Sequence, residues 1–355
     1  MRFEHHLPAG TLLFCLFALQ GAAVAASIAE WEECSTIPGD VERLACYDRV
    51  AGRSQPEAAP TEAAQPGSLL EPVGAVFEAA DEASEPGLLS ALSRHWELDD
   101  EAKQGAFLFR AHHVNYLIPL KYSTAPNNTP FQDTFPQPDL DLDPIEAELQ
   151  LSFKIKAKEA VFGHDDFDLW LGYSITSFWQ AYNSGISSPF RETNYEPEAM
   201  LVYRTNYSLA GFRGRFLNLG IVHQSNGRGE ELSRSWNRVY AQFGFERGNL
   251  ALLVRPWYRI PEDADEDDNP DIDDYLGSGD LTALYRRGRH VYTLLLRNNF
   301  RAPDNHGAVK LNWSFPLHGR LKGYLQYFNG YGESLIDYNH SQQSLGIGFS
   351  LTEGM

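Results

Sequence analysis

The chain has 355 residues, and its 48 acidic against 29 basic side chains give a net charge of −19 at pH 7. This acidic balance argues against nucleic-acid binding, which requires clustered Lys and Arg side chains on one surface. Aromatic residues make up 13% of the chain, although its mean hydropathy is only −0.37. Soluble β proteins show this combination, and so do membrane β-barrels, whose aromatic side chains form belts at the membrane interfaces.

The N-terminus has the pattern of a secretory signal peptide. Arg2 precedes a short apolar run from Leu12 to Leu19, and Ala23-Val24-Ala25 offers a cleavage site of small residues. The run is too short to anchor the chain in a membrane as a helix. We therefore expect residues 1–25 to be a signal peptide and the rest of the chain to be exported.

Residues 26–104 are predicted to form a periplasmic N-terminal extension. Cys34 and Cys46 remain after cleavage, and in an oxidising compartment we expect them to form a disulfide, with two free thiols as the alternative. Residues 53–66 are rich in Ala, Pro, Glu and Gln, which is typical of a flexible linker. Residues 67–104 are acidic and weakly helical in pattern, and either pack at the mouth of the following domain or stay mobile.

From residue 105 to residue 355 the chain consists of short segments in which apolar and polar residues alternate. Alternation with a period of two predicts strands that have one apolar face. About twelve such segments occur, and none has the apolar length of a membrane helix. An even number of strands suits a closed barrel, so we predict an all-β fold, a transmembrane antiparallel β-barrel of about twelve strands. Two of these apolar faces are Leu169, Leu171, Tyr173 and Ile175, and Leu345, Ile347, Phe349 and Leu351.

Short and long connections alternate along these segments. Short periplasmic turns and long external loops are the pattern of outer-membrane barrels, and a soluble β sandwich does not impose it. An even strand number puts both ends of the barrel sequence on the periplasmic side and the long loops outside. The tight turns fall at 209–211, 247–249, 287–289 and 318–320, and the long loops near 124–142, 184–191, 226–236, 261–275, 302–307 and 329–341.

The inward positions of the predicted strands carry bulky polar and charged side chains. Side chains of both charge signs are expected to fill a small barrel, which argues against an open channel. These positions are Asn218, Gln224, Arg238, Tyr240, Gln242, Glu246, Arg255, Lys310, Lys322, Tyr324 and Gln326.

Three polar side chains fall on the outward, apolar face of two neighbouring strands. His223 and Ser225 are in phase with Leu219 and Ile221, and Asn237 is in phase with Val239 on the next strand. A serine, a histidine and an asparagine at the rim of an apolar face suggest a nucleophile, a general base and a residue that orients the base. A lone Ser or His near a strand end is usually structural, so the phase by itself leaves both interpretations open.

The motifs around these residues resemble the outer-membrane phospholipase A family. The resemblance runs in order from about Phe107 to the C-terminus, and it implies a twelve-stranded outer-membrane barrel. It also implies calcium-dependent dimers that hydrolyse phospholipid acyl esters, as phospholipase A1, A2 and lysophospholipase. The matching segments are HxSNGR at 223–228, SRSWNR at 233–238, and residues 187–197, 268–272 and 330–339.

The resemblance implies catalytic roles for four residues. Ser225 would attack the ester carbonyl, and His223 would take up its proton and pass it to the leaving alcohol. Asn237 would orient the imidazole without placing a charge in hydrocarbon. The backbone N–H of Gly227 would stabilise the oxyanion.

The resemblance also implies a calcium site shared between two subunits. Its ligands would be the Arg228 carbonyl, the Ser233 hydroxyl and the Ser187 carbonyl of the partner subunit. Glu230 stands where the family often has Asp, which weakens a secondary calcium role for this side chain. The expected partners are membrane phospholipids and a second copy of the chain, in a Gram-negative outer membrane with the active site facing the outer leaflet.

An acidic stretch at 262–274 holds nine carboxylates and no Lys or Arg. It lacks the central Gly and terminal Glu of an EF-hand, so we expect a solvated outer loop that could attract divalent ions.

Two other functions compete with the phospholipase. The first is a non-catalytic barrel, either a channel or an adhesin, and the filled lumen argues against a channel. The second is a soluble secreted esterase, and the apolar outward faces of the strands argue against it.

Overall fold

The computed structural model describes residues 34, 36–37, 43, 46–47, 49–50, 89–134 and 141–352. The predicted signal peptide and linker lie outside these residues. The chain divides into two compact units, residues 1–67 and residues 68–355. In the first unit Cys34 is bonded to Cys46, which confirms the predicted disulfide.

Twelve antiparallel strands close into a barrel within the described part of the second unit, as the sequence predicts. Each strand pairs with its neighbours in sequence, and β2 pairs with β13 to close the barrel. A short strand that precedes the barrel, β1, pairs with β3. The strands are β1 (Arg110–Ala111), β2 (Tyr116–Ser123), β3 (Ile145–Lys158), β4 (Phe167–Trp179), β5 (Phe190–Leu209), β6 (Phe212–Ser225), β7 (Ser235–Arg247), β8 (Leu250–Ile260), β9 (Gly279–Arg287), β10 (His290–Asn298), β11 (Gly307–His318), β12 (Leu321–Tyr331) and β13 (Ser341–Ser350).

The two faces of each strand differ in chemistry. On β13, Leu345, Ile347 and Phe349 are exposed, whereas the residues between them are buried. Exposed apolar side chains around the barrel match the lipid-facing band of an outer-membrane protein.

No helix within the described residues is long and apolar enough to cross a membrane.

Paired charges fill the interior of the barrel. Lys121 lies 2.9 Å from Glu148 and 2.9 Å from Glu333, and these three side chains are almost completely buried. Charges that are removed from water in this way must be paired to be tolerated. The predicted filling of the lumen is therefore confirmed, and it argues against the channel alternative. Of the expected inward residues, Asn218, Arg238, Tyr240, Lys322, Tyr324 and Gln326 are buried.

Helix α1 (Ala91–Trp96) packs against lumen-facing side chains. The Trp96 ring lies 6.0 Å from the Trp170 ring and 5.5 Å from the Phe216 ring, measured between centroids. Glu97, which follows the helix, is fully buried and lies 2.5 Å from Lys156. Of the two alternatives stated for residues 67–104, packing against the barrel is the one observed for the described residues 89–104.

The connections alternate as predicted, with one difference. The turns at 210–211, 248–249, 288–289 and 319–320 are short, but the β3–β4 connection on the same side runs over 159–166. At the opposite end, helix α2 (Thr129–Thr134) lies in the β2–β3 loop and helix α3 (Ile272–Leu276) in the β8–β9 loop. The long loops therefore gather at one end of the barrel, where β6 ends and β7 begins.

Candidate active site

The register of the β6–β7 hairpin brings the predicted histidine and asparagine together. His223 stands directly opposite Asn237, and Ser225 stands opposite Ser235. Directly opposed residues share a face and lie within side-chain reach. His223 Nδ1 lies 2.9 Å from Asn237 Oδ1. An amide oxygen can only accept, so this contact requires the proton on Nδ1 and leaves Nε2 as the basic nitrogen.

Ser225 lies on the same outward face, two positions beyond His223, and its side chain is half-buried. It makes no side-chain hydrogen bond to any residue that the structure describes. The predicted nucleophile and the predicted base are thus two positions apart on one strand but are not hydrogen-bonded to each other. In a protein without substrate this bond is often long and tightens only in the reacting complex.

Glu262 extends the hydrogen-bonded chain of His223 and Asn237, and it was not predicted as a site residue from the sequence. Asn237 pairs with Ile260 at the end of β8, and Glu262 follows two positions later on the same face. Asn237 Nδ2 donates to Glu262 Oε1 at 2.7 Å. The amide is therefore held at both ends, by the imidazole and by the carboxylate. The phase of Glu262 with Ile260 was a signal in the sequence, but the acidic run around it hid its role.

The loop at 226–234 is shaped by Asn226, which is buried. Its Nδ2 donates to the Leu232 carbonyl at 2.8 Å, and its Oδ1 accepts from the N–H groups of Arg228 at 3.2 Å and Arg234 at 3.0 Å. One side chain thus replaces three hydrogen-bond partners that water would otherwise supply. The asparagine of the HxSNGR motif is therefore a structural residue that keeps the loop closed beside Ser225.

Gly227 occupies a position that other residues would strain. Its φ is +63°, and an added Cβ would lie 3.1 Å from the Tyr195 ring. Glycine accepts this left-handed conformation without steric cost. Gly227 lies two positions after Ser225 in the chain. Its N–H is therefore in the segment where the sequence predicts an oxyanion donor.

The predicted calcium ligands lie on two separate connections. Ser233 Oγ donates to Asp268 Oδ2 at 2.5 Å, which joins the β6–β7 loop to the β8–β9 loop. Ser187 lies in the β4–β5 connection, and the Glu230 side chain is exposed without a hydrogen bond to the described residues. Hydroxyl, carboxylate and carbonyl oxygens are the donors that Ca²⁺ prefers, so the residues present fit this ion. Asp268 adds a carboxylate that the sequence analysis did not assign.

The acidic loop is only partly solvated, and the expectation of a solvated loop is wrong for several of its residues. Asp267 lies 2.6 Å from Arg259, and Asp271 accepts from Tyr338 Oη at 2.6 Å. Asn269 is fully buried and accepts from the Ser235 N–H at 3.0 Å. The loop folds back onto the β6–β7 hairpin, so protein donors replace water around these oxygens.

A closed barrel with an apolar outer surface and a Ser, a His and an Asn at its rim defines a membrane-embedded hydrolase. The sequence profile of the family described as phospholipase A1 matches residues 92–351. The chain therefore belongs to the phospholipase A1 family, the outer-membrane phospholipases A, and is an enzyme.

Relatives agree with this assignment. A phospholipase A1 homologue from Neisseria meningitidis serogroup B is 37% identical over 353 residues, covering 90% of each chain. The phospholipase A1 of Escherichia coli K12 is 39% identical over 208 residues, which cover 59% of this chain and 70% of that one.

Solved structures show the same fold. The outer-membrane phospholipase A of Escherichia coli superimposes with a TM-score of 0.64 at 35% identity, covering 70% of this chain and 99% of that one. The calcium-bound dimer of the Salmonella typhi outer-membrane phospholipase gives 0.65 at 34% identity, covering 72% and 95%.

Proposed function

We propose that Ser225, His223 and Asn237 hydrolyse acyl ester bonds of membrane phospholipids at the outer leaflet of a Gram-negative outer membrane. The observation that carries this proposal is the 2.9 Å contact of His223 with Asn237, on the outward face and at the long-loop end of the barrel. A general base in this position faces lipid rather than the filled lumen. The even number of strands supports our proposal that the N-terminal extension lies in the periplasm.

The reaction follows from the chemistry of these groups. Ser225 Oγ attacks the ester carbonyl carbon while His223 Nε2 takes its proton. The tetrahedral intermediate then breaks its bond to the glycerol oxygen, which leaves with the proton from His223. Water repeats the sequence on the acyl-enzyme and releases the fatty acid. Because diacyl lipids and lysolipids present the same ester, we propose phospholipase A1, A2 and lysophospholipase activities at one site.

Two groups support the reacting atoms. The Gly227 N–H donates to the oxyanion as it forms, and Asn237 holds the imidazole in the tautomer with Nε2 free. Glu262 in turn accepts a hydrogen bond from the Asn237 amide at 2.7 Å. The carboxylate in this series of hydrogen-bonded side chains therefore lies in the loop after β8.

We propose that activity depends on calcium held by the Arg228 carbonyl, Ser233 and Asp268, with the Ser187 carbonyl from the partner subunit and Glu230 in a weaker role. Bound calcium would polarise the ester carbonyl. The Salmonella typhi structure, a dimer with bound calcium, supports both the ion and the assembly.

The proposed homodimer would use the outward face of β4. The residues Leu169, Leu171, Tyr173 and Ile175 form an apolar strip on this face, and all four are partly or largely exposed. Pairing of such a surface gains little over lipid contact, since both are apolar. We therefore expect a weak, reversible dimer. Because the proposed calcium site is shared between two subunits, separate barrels would be inactive.

The test is fatty-acid release by refolded full-length protein in mixed micelles, with calcium or with chelator. Ser225→Ala should lower release at least about 1,000-fold, because loss of a nucleophile leaves only binding and oxyanion contributions. Ser235→Ala is the matched control, since Ser235 stands opposite Ser225 in the hairpin, and should stay within about two-fold of wild type. Near-normal release from folded Ser225→Ala would remove Ser225 from the mechanism.

A further inference from the structure

We propose that the barrel interior holds a second, distinct metal site, in which His112, His113 and Glu198 bind a divalent transition-metal ion of the zinc class. One donor atom from each of these residues lies within 4.8 Å of the others. His112 and Glu198 are buried and His113 is half-buried. The site is independent of the outward catalytic chain and of the proposed hydrolysis.

An interruption between β1 and β2 brings the two histidines together. Ala111 pairs with Phe153, and Tyr116 pairs with Gln150. Between these two pairs, the β1–β2 connection has residues 112–115, which outnumber residues 151–152 of β3. The excess residues bulge, which re-aims side chains that an unbroken strand would point to opposite faces. As a result the rings of the neighbouring His112 and His113 approach to 4.1 Å between centroids.

The carboxylate is already positioned by other side chains. His112 Nε2 lies 2.5 Å from Glu198 Oε1, and Tyr240 Oη donates to Glu198 Oε2 at 2.5 Å. A ligand that is held by a hydrogen bond to its second oxygen has the outer support that metal sites commonly show.

Two further observations indicate that this is more than a satisfied core histidine. His112 is only 4% exposed, and its Nδ1 has no hydrogen-bond partner among the described residues, so this buried imidazole is paired through Nε2 alone. Beside it lies a cavity of about 20 Å³, lined in part by His95, His113 and Glu198. Buried polar atoms are nearly always paired, and a cavity of this size holds one water or one ion.

The donor set selects the class of metal. Imidazole nitrogens with a carboxylate are typical zinc ligands, whereas calcium takes oxygen ligands almost alone. Bonds of about 2.0–2.2 Å would require the His112 and Glu198 atoms to separate to roughly 3.4 Å in a tetrahedral site. That adjustment, of less than about 1 Å, is within reach of side-chain rotation.

One charge opposes the ion and provides an internal test. Lys154 lies beside the site: its Nζ lies 3.3 Å from the centroid of the Trp96 ring, and this ring lies 5.9 Å from the His112 ring, measured between centroids. The ammonium is thus directed at an aromatic face, which partly offsets its charge. Removing this charge with Lys154→Met should tighten metal binding.

Bound metal would tie the β1–β2 connection to the β5 wall beneath α1. His95 of α1 stacks on His112 with 6.2 Å between ring centroids, so the helix covers the site. A ligand that binds only the folded state raises stability in proportion to its occupancy.

The experiment measures zinc binding by refolded full-length barrel in detergent, using Zn²⁺ buffered by a competing chelator, together with the unfolding temperature. We expect wild type to bind zinc and to unfold at a higher temperature with it. His113→Ala and Glu198→Gln should each weaken binding at least ten-fold, and Lys154→Met should strengthen it several-fold.

His164→Ala is the matched control, because His164 is an exposed histidine elsewhere on the chain and should bind zinc like wild type. If a lumen variant does not fold, Co²⁺ added to wild type reports the same site through its visible spectrum. Wild-type protein that shows neither a Co²⁺ spectrum of nitrogen and oxygen ligands nor tighter zinc binding than His113→Ala would overturn the site.

Discussion

Polar groups inside the barrel and polar groups on the outward face that carries His223 follow opposite rules. Inside, full charges are buried in pairs, as where Arg191 lies 2.9 Å from Glu146 and 2.8 Å from Asp337. Outside, His223 is paired with the neutral amide of Asn237, and the Glu262 carboxylate follows at the loop end. An unpaired charge in hydrocarbon is costly, which accounts for a neutral amide rather than a carboxylate beside His223 on the outward face.

The largest expected effect comes from breaking a lumen pair. Arg191→Met leaves Glu146 and Asp337 buried without their partner, which should lower the free energy of unfolding by about 3–5 kcal/mol. Urea or thermal unfolding in detergent measures it. The control is Arg301→Met, whose pair with Asp274 is half exposed at 53% and 49%. An exposed pair contributes at most about 1 kcal/mol, so equal losses from both variants would contradict the comparison.

The stabilising effect of the Arg191–Asp337 ion pair should be sensitive to acid. Burial by itself raises the pKa of the Asp337 carboxyl, but the Arg191 charge together with hydrogen bonds from Arg191, Ser334 and Asn127 holds this pKa below its ordinary value of 3.8. A depressed pKa stabilises the fold above the unfolded-state value, and this contribution is lost as pH falls through the folded-state value. The stability difference between wild type and Arg191→Met should therefore shrink below about pH 3.8.

On the catalytic face, Asn237→Ala should lower fatty-acid release by about 10- to 100-fold and leave stability nearly unchanged. His223 keeps its Nε2 but loses the contact that orients the ring and selects its tautomer. Steady-state rates on folded protein measure the effect. A loss as complete as that of Ser225→Ala would show that Asn237 does more than orient the base.

The smallest effect is expected at Glu262, which acts on the imidazole only through Asn237. Glu262→Ala should lower the rate about three- to ten-fold, and Glu262→Gln should restore most of it, since its amide oxygen still accepts from Asn237. Glu266→Ala, an exposed residue of the same loop, is the control. If Glu262→Gln were as slow as Glu262→Ala, the negative charge rather than the hydrogen bond would be required.

Much of the fold was accessible from the sequence because its signals are local. Period-two alternation predicts strands with an apolar face, and alternating turn lengths predict a closed barrel with loops at one end. The same period placed His223, Ser225 and Asn237 on one face without any knowledge of contacts. The motifs that carry the family resemblance are also read directly from the chain.

The tertiary structure decided what depends on register and on loop folding. The pairing of His223 with Asn237 rather than with a neighbour follows from the hairpin register, and Glu262 reaches the amide only because β8 ends beside it. The bulge that turns His112 and His113 together depends on pairing with β3, far along the chain. Alternation of apolar and polar residues predicts the face of the sheet on which a side chain lies. Contacts between neighbouring strands depend in addition on their pairing register. A slip of one residue would move every side chain to the other face, and only packing of the whole barrel excludes it.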